Sequence, residues 1–284
     1  MAEKLVIIGA PRSGTNMLRD LICTLPGAGT WPCDEINFIW RHGNVRYPSD
    51  AFPDELATDR VRQYVRGRFD SVARSNRLDI VVEKTCANSL RVGFVDRIVP
   101  DARYIFLVRH GMDAVVSAAQ RWRSKLDLLY TLKKARFVPL GDVPRYAALF
   151  AANRLFRLYS RDRRVAHWGP HLDNMQELLS RFSLEEVCAL QWRECVERAA
   201  GALANVGEDR VLRARYESVV DDPREFLAQV ADFLGIAERS GEASRYEWIS
   251  PGRIGAGRDS LAPDARTAVG RIIAGTLERH GYAS

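Results

Sequence analysis

The sequence predicts an α/β fold, a three-layer sandwich with a central parallel sheet between two layers of helices. Three observations predict it. Short, continuously apolar runs recur at Leu5–Ile8, Ile80–Val82 and Tyr104–Val108, and such runs suit strands buried on both faces of a parallel sheet. Each run is followed by a stretch with helical spacing, and strands alternating with helices argue for parallel pairing. The first run leads through a Gly-rich loop directly into a helix.

In chain order, Leu5-Val6-Ile7-Ile8 is the first strand and Gly9-Ala10-Pro11-Arg12-Ser13-Gly14 the loop. Met17, Leu18, Leu21, Ile22 and Leu25 mark a helix that stops at Pro26-Gly27. Asp79-Ile80-Val81-Val82 opens a second unit, whose helix through Val92, Phe94, Val95 and Ile98 ends before Pro100. Tyr104–Val108 is the clearest strand, closed by Arg109. The helix after it places Met112, Val115, Val116, Ala119 and Trp122 on one face. Residues of about 124–182 are rich in Arg and aromatics, carry no strand signal and read as a helical or loop insertion. Ser183-x-x-Glu186 is a capping box opening a helix to about Ala204. Val211-Leu212-Arg213-Ala214 is a weaker strand. Asp222-Pro223-Arg224-Glu225 starts the next helix, with Asp as N-cap and Pro at the first helical position. That helix closes at Gly235, and a last one runs from about Asp264 to Gly281. No internal repeat appears, and the expectation is one domain over 1–284 with the insertion inside it.

The 284 residues carry a net charge of +6, and 46% of them are hydrophobic. A basic balance favours anionic partners. The excess is mostly Arg and is scattered rather than gathered in one arm. That suits phosphate or sulfate pockets, which guanidinium meets as a bidentate donor, better than a nucleic-acid interface, which calls for clustered cations with stacking aromatics. Five cysteines at wide spacing, with no CxxC, predict neither a disulfide framework nor a zinc site and fit a reducing compartment. No apolar run is long enough to span a membrane and no signal peptide is visible, so the expected location is cytoplasmic.

The Gly-rich loop keeps the glycine spacing of the nucleotide-triphosphate loop G-x-x-x-x-G-K-[ST], in the strand–loop–helix context which that motif requires, so the fold is P-loop-like. Backbone N–H groups of Ser13, Gly14, Thr15 and Asn16 and the helix N-terminus would cradle an anion. Thr15 stands where the Lys would be and Asn16 where the magnesium-binding hydroxyl would be, and Arg12 is the cation inside the loop. These two absences count against a P-loop small-molecule kinase. Arg109, ending a buried strand beside a helix start, is a second anion-site candidate.

Pro11-Arg12-Ser13-Gly14-Thr15 directly after a first strand resembles the 5′-phosphosulfate loop of sulfotransferases that use 3′-phosphoadenosine-5′-phosphosulfate (PAPS). Val108-Arg109-His110-Gly111-x-Asp113-x-Val115-x-Ser117 is similar to their 3′-phosphate motif, and Glu83-Lys84-Thr85-x-x-Asn88 to the segment preceding it. Arg215-Tyr216-Glu217-x-Val219-x-x-Asp222-Pro223 resembles the stretch that meets the adenine. Gly252-Arg253-Ile254-Gly255-x-Gly257-Arg258-x-x-Leu261 resembles the terminal loop over the 3′-phosphate. The resemblance covers nearly the whole chain, in order. It is to bacterial and to tyrosylprotein and carbohydrate sulfotransferases most of all.

The resemblance implies PAPS as donor, 3′,5′-adenosine diphosphate (PAP) as product and no metal. Arg12 and Lys84 would stabilise charge on the transferring group and leaving phosphate. Arg109 and Ser117 would hold the 3′-phosphate, Tyr216 would meet adenine, and Arg253, Gly255 and Gly257 would wrap the phosphate. In small-molecule sulfotransferases a His stands two residues after this Lys, and here the position is Cys86. Tyrosylprotein and several carbohydrate sulfotransferases use a Glu downstream of the first helix. Cys33-Asp34-Glu35-Ile36-Asn37 resembles that segment, making Glu35 the expected base, with Asp34, then His42 and His110, as alternatives.

The acceptor is not legible. A glycan, a lipid or another small molecule carrying a hydroxyl or amine fits, and the Arg-rich insertion reads either as an anionic-acceptor surface or as a solvated basic face. His167-Trp168-Gly169-Pro170-His171 reads as a turn in that insertion. A non-catalytic PAPS-binding protein is the remaining alternative. Neither a nucleic-acid partner nor an integral membrane anchor is expected, and the oligomeric state stays open.

Overall fold

The computed structural model describes residues 2–124, 135, 137–159, 165–236, 246–251, 254, 255, 257 and 260–282. Five strands, β1 (Glu3–Ile8), β2 (Ala28–Gly29), β3 (Ile80–Lys84), β4 (Arg103–Val108) and β5 (Val211–Arg215), pair in parallel in the order β2–β3–β1–β4–β5. The sheet is therefore the predicted parallel one, with two differences in its strands. β2 is only two residues long, too short to leave a pattern. β3 extends past the apolar run to include Glu83 and Lys84, both buried.

Alternation along the strands divides the core in two. Leu5 and Ile7 of β1, Val82 of β3 and Ile105 and Leu107 of β4 point to one face. There they meet Leu18, Leu21 and Ile22 of α1 (Thr15–Ile22), Tyr216 and Val219 of a helix at Tyr216–Asp221, and Phe226, Leu227 and Val230 of one at Pro223–Leu234. Val6 and Ile8, Tyr104 and Phe106 point to the other face. That face is covered by α2 (Asn37–Trp40), α3 (Asp59–Asn76), α4 (Val92–Ile98), α5 (Gly111–Arg123) and further helices at Leu184–Leu203 and Pro263–Arg279. Numbering continues along the chain: α6 is Val143–Tyr159, α7 Met175–Arg181, α8 Leu184–Leu203, α9 Tyr216–Asp221, α10 Pro223–Leu234 and α11 Pro263–Arg279. Layers of helix, sheet and helix result, as the fold class requires.

The sequence signals at helix starts correspond to hydrogen bonds. Ser183 accepts from Glu186 N at 3.3 Å while the Glu186 carboxylate accepts from Ser183 N at 2.9 Å, completing the box that opens α8. Asp222 caps α10 by accepting from Glu225 N at 2.9 Å. α3 lies in a stretch to which the apolar pattern assigns no element, and Thr58 caps it. Within 124–182 the described residues hold helices α6 and α7 and no strand, in keeping with a helical insertion. Leu140, Leu149, Phe150 and Leu155 in or beside α6 are exposed. No described helix is long and apolar enough to cross a membrane.

Candidate active site

Because all five strands run the same way, the residues that follow them collect at one end of the sheet, where open parallel sheets bind ligands. In register, Ile7 of β1 lies beside Lys84 of β3, and Ile8 beside Phe106 of β4. The loop after β1, the end of β3 and Arg109 after β4 are neighbours for that reason.

The loop is built for close approach. Arg12 has φ 66° and Gly14 has φ 89°, left-handed values that only glycine adopts freely. Gly14 is also the N-cap of α1, and no side chain caps that helix. A Cβ at Gly14 would lie 2.3 Å from the Tyr216 ring, so loop and ring are in direct contact. Ser13 is fully buried, and its Oγ has no hydrogen-bond partner among the described residues; the buried Oδ1 of Asn16 has none either. A buried hydroxyl without a partner is costly. Here it adjoins a helix N-terminus whose first amides have no intrahelical acceptor. The donor set of this loop, amides, hydroxyl and guanidinium, fits a phosphate or sulfate group.

The second candidate anion site adjoins the first. Arg12 Nε donates to Ser117 Oγ at 2.9 Å, and Arg109 Nη1 donates to the Arg12 carbonyl at 3.2 Å. The Arg109 guanidinium lies 4.4 Å from the Tyr216 ring centroid. Tyr216 thus backs both the loop and Arg109. Asp113, in the first turn of α5, ties this corner to the later loop. It accepts from Arg109 Nη2 at 3.4 Å, from Gly255 N at 2.9 Å and from Gly257 N at 2.8 Å. A cavity of about 450 Å3 opens here, lined by Arg12, Arg109, Ser117, Gln120, Gly257 and Ser260 among others. Gly255 and Gly257 are thus brought to Arg109 and Ser117. Arg253 lies outside the described residues.

On the other side of the loop stands an acid–base cluster. Lys84 Nζ donates to Glu35 Oε1 at 3.0 Å and forms an ion pair with Asp34 Oδ1 at 3.1 Å, with the lysine side chain 2% and Glu35 27% exposed. Burial opposes the Lys84 charge, but the carboxylates of Glu35 and Asp34 outweigh it and raise its pKa. Glu35 Oε1 also accepts from Cys86 N at 3.3 Å, whereas Asp34 Oδ1 accepts from Arg19 Nη1 of α1 at 2.9 Å. Cys86 Sγ lies 3.6 Å from Thr15 Oγ1, the first residue of α1. One residue, Cys86, therefore separates the Glu35–Lys84 pair from the start of α1 and the candidate anion loop. Burial, then Glu35, push the Cys86 thiol up, so it stays protonated and does not replace a histidine base.

Beneath the pair is a carboxylate to which the sequence motifs assign no role. Glu83 accepts from Trp40 Nε1 at 3.1 Å, Thr85 Oγ1 at 2.5 Å and Asn88 Nδ2 at 3.0 Å. Thr85 Oγ1 in turn accepts from Ile36 N at 3.2 Å, which fixes the backbone next to Glu35. Burial pushes Glu83 up to about 7, against the lowering effect of these hydrogen bonds.

The histidine alternatives sit elsewhere. His42 Nδ1 pairs with Asp142 at 2.7 Å. His110 is the N-cap of α5, and its Nδ1 accepts from Met112 N at 3.3 Å. His167 and His171 flank a turn held by Gln191, which donates to Trp168 O and Pro170 O at 3.2 and 2.6 Å. Asp113, Glu83 and Arg19 are each visible in the sequence as charged residues inside or next to a motif. Nothing in spacing alone marks Asp113 and Glu83 as buried, or Arg19 as a partner of Asp34.

A profile of the Sulfotransferase family matches residues 4–149 and 143–239. Among solved structures, the chain is similar to the sulfotransferase domain from the curacin biosynthetic pathway, at 14% identity and TM-score 0.58, covering 100% of this chain and 99% of that one. It is also similar to the sulfotransferase domain from the Synechococcus PCC 7002 olefin synthase, at 18% identity and TM-score 0.56, covering 100% and 96%. A third is sulfotransferase STF9 from Mycobacterium avium, at 14% identity and TM-score 0.54, covering 99% and 78%. At these identities the likeness is one of fold. Comparison with curated proteins finds no match.

Proposed function

Because the chain belongs to the sulfotransferase family, we propose that it transfers a sulfuryl group from PAPS to a hydroxyl or amine of a glycan, lipid or other small acceptor. The observation that carries this reading is the adjacency of cradle and carboxylate. Thr15 at the start of α1 meets Cys86, whose amide meets Glu35, whose counter-ion is Lys84. A base and an anion cradle so close suit transfer of an anionic group to a nucleophile that must lose a proton.

The donor's 5′-phosphosulfate would sit on the amides of Ser13 to Asn16 with Arg12 and the Ser13 hydroxyl. Its 3′-phosphate would be held by Arg109 and Ser117, with the segment carrying Arg253, Gly255 and Gly257 closing over it. Tyr216 would support the adenine end, the Gly14 turn and Arg109 together. The reaction is an in-line displacement at sulfur. The bond from sulfur to the bridging phosphate oxygen breaks as the acceptor's oxygen or nitrogen bonds to sulfur, the acceptor proton passes to Glu35, and PAP leaves. Charge that develops on the leaving phosphate is met by Arg12, by the loop amides and by Lys84, which its carboxylate neighbours keep protonated. A cytoplasmic site of action and a single domain over 1–284 accompany this reading.

Calorimetric titration with PAP in the absence of magnesium, beside ATP with magnesium, tests it. Micromolar PAP binding that Arg109→Ala abolishes is the expected outcome. Magnesium-dependent ATP binding without PAP binding would overturn the reading in favour of a kinase.

A further inference from the structure

Arg109 is oriented through its neighbours. The Tyr282 hydroxyl, beyond the end of α11, lies 3.1 Å from Val108 O and 2.6 Å from Glu217 Oε2. The other oxygen of that carboxylate, Oε1, accepts from His110 N at 3.0 Å. The backbone groups immediately before and after Arg109 are therefore both gripped, by two side chains that also grip each other. Burial, then Glu217, raise the Tyr282 pKa, so the phenol stays protonated and its one proton is shared between the two acceptors. The His110 ring stands edge-on to the Tyr282 ring at 5.4 Å and caps Met112 N. The Arg215 guanidinium lies 4.1 Å from the same tyrosine ring. Glu217 follows Tyr216, so one helix start supplies both the floor under the Arg109 guanidinium and the clamp on its backbone.

We propose that Tyr282 and Glu217 are positioning residues for donor binding: together they clamp the Val108–His110 joint and so set the direction in which Arg109 leaves the sheet. The proposal rests on the reading of Arg109 as a ligand of the donor's 3′-phosphate. A guanidinium at the end of a strand is only as well placed as the peptide that carries it, because bidentate recognition of phosphate depends on angle as well as distance. Without the clamp, the peptide between β4 and α5 gains freedom that phosphate binding must then remove.

The test compares PAP with 5′-AMP, which lacks the 3′-phosphate, in the wild type, Tyr282→Phe, Glu217→Gln and Arg109→Ala. Tyr282→Phe keeps the ring and removes one hydroxyl. Glu217→Gln keeps the volume and one acceptor, and serves if the first variant folds poorly. Each should weaken PAP binding about 3–10-fold, the value of one hydrogen bond, while leaving 5′-AMP affinity unchanged. Equal losses for both nucleotides would show a general structural role and overturn the proposal, as would unchanged PAP affinity in both variants. Arg109→Ala separates the two levels. If it leaves PAP binding intact, the donor-site reading itself falls; if it removes the preference for PAP over 5′-AMP while the other variants bind like the wild type, only the clamp does.

Discussion

Two adjacent carboxylates meet Lys84, and they are held differently. Asp34 meets Arg19 at 2.9 Å and Lys84 at 3.1 Å, and Glu35 meets Lys84 and the Cys86 amide. Each cation beside a carboxylate makes it a poorer proton acceptor. Glu35→Gln should therefore cut turnover by about 10²–10⁴-fold with PAP affinity unchanged, and Asp34→Asn should cut it less; steady-state kinetics with calorimetry checks both. Turnover in Glu35→Gln equal to the wild type would remove Glu35 as base. Glu83 gives a second, independent readout. Its folded pKa of about 7 lies above its ordinary 4.5, so across that interval the folded state holds a proton that the unfolded state has lost. The stability this group contributes is fully present below the lower value and is lost as pH rises through the upper one. The loss runs at about 1.4 kcal/mol for each pH unit between the two. Thermal unfolding between about pH 5 and 8 should show the wild type losing ground to Glu83→Gln as pH rises. Parallel profiles would mean that Glu83 does not titrate there. Of these residues, Glu35 and Lys84 are legible in the sequence because they sit in recognisable segments. Glu83 stands in the same segment as Lys84, but its burial is not legible, since a charged residue at the end of an apolar run looks like the strand's exit until the sheet shows that it is interior.

At the level of elements, legibility follows pattern length. β1 and β4 are continuous apolar runs, and their bounds agree with the apolar pattern within two residues. β5 is weaker in the sequence because it is an edge strand, with exposed Arg213 and Arg215 alternating with half-buried neighbours. α3 escapes because Arg and Asp outnumber its buried Val61, Val65, Phe69 and Val72, although Thr58 marks its start. The segment carrying Gly255 and Gly257 is legible only by resemblance. The structure adds the reason these two glycines lie beside Arg109, which is Asp113 receiving both of their amides. A Cβ at Gly257 would fall 2.7 Å from Asp113 Cα and 2.8 Å from Met112 O, both backbone atoms that cannot step aside. Gly257→Ala should push the segment off α5 and weaken PAP binding by roughly 10-fold with little change in melting temperature, since few core residues depend on it. Calorimetry and thermal unfolding on one preparation check this, and an unchanged affinity would show that the segment takes no part in the site.

At the scale of the whole molecule, the site belongs to no single element. It draws on the loop after β1, the segment before α2, the end of β3, the start of α5, the start of α9 and the residues ahead of α11. The sheet is what makes them neighbours, because its central order β3–β1–β4 places the exits of three strands side by side. A ligand bridging these parts binds only the folded chain, and it stabilises by mass action, about 2.7 kcal/mol at 100 times its Kd. For a chain of this size that corresponds to a rise in melting temperature of about 5 °C. PAP without magnesium should produce such a rise. On the proposed reading, inorganic sulfate would occupy one anion site but could not bridge two, so each ion would forgo the contacts of the other site and bind more weakly. At equal concentration it should therefore produce a much smaller rise. If sulfate matched PAP at equal concentration, joining the two anion groups in one molecule would add nothing to affinity. The bond from Arg12 to Ser117 and the one from Arg109 to the Arg12 carbonyl would then be packing within the fold, and not the joint of a single bisphosphate site.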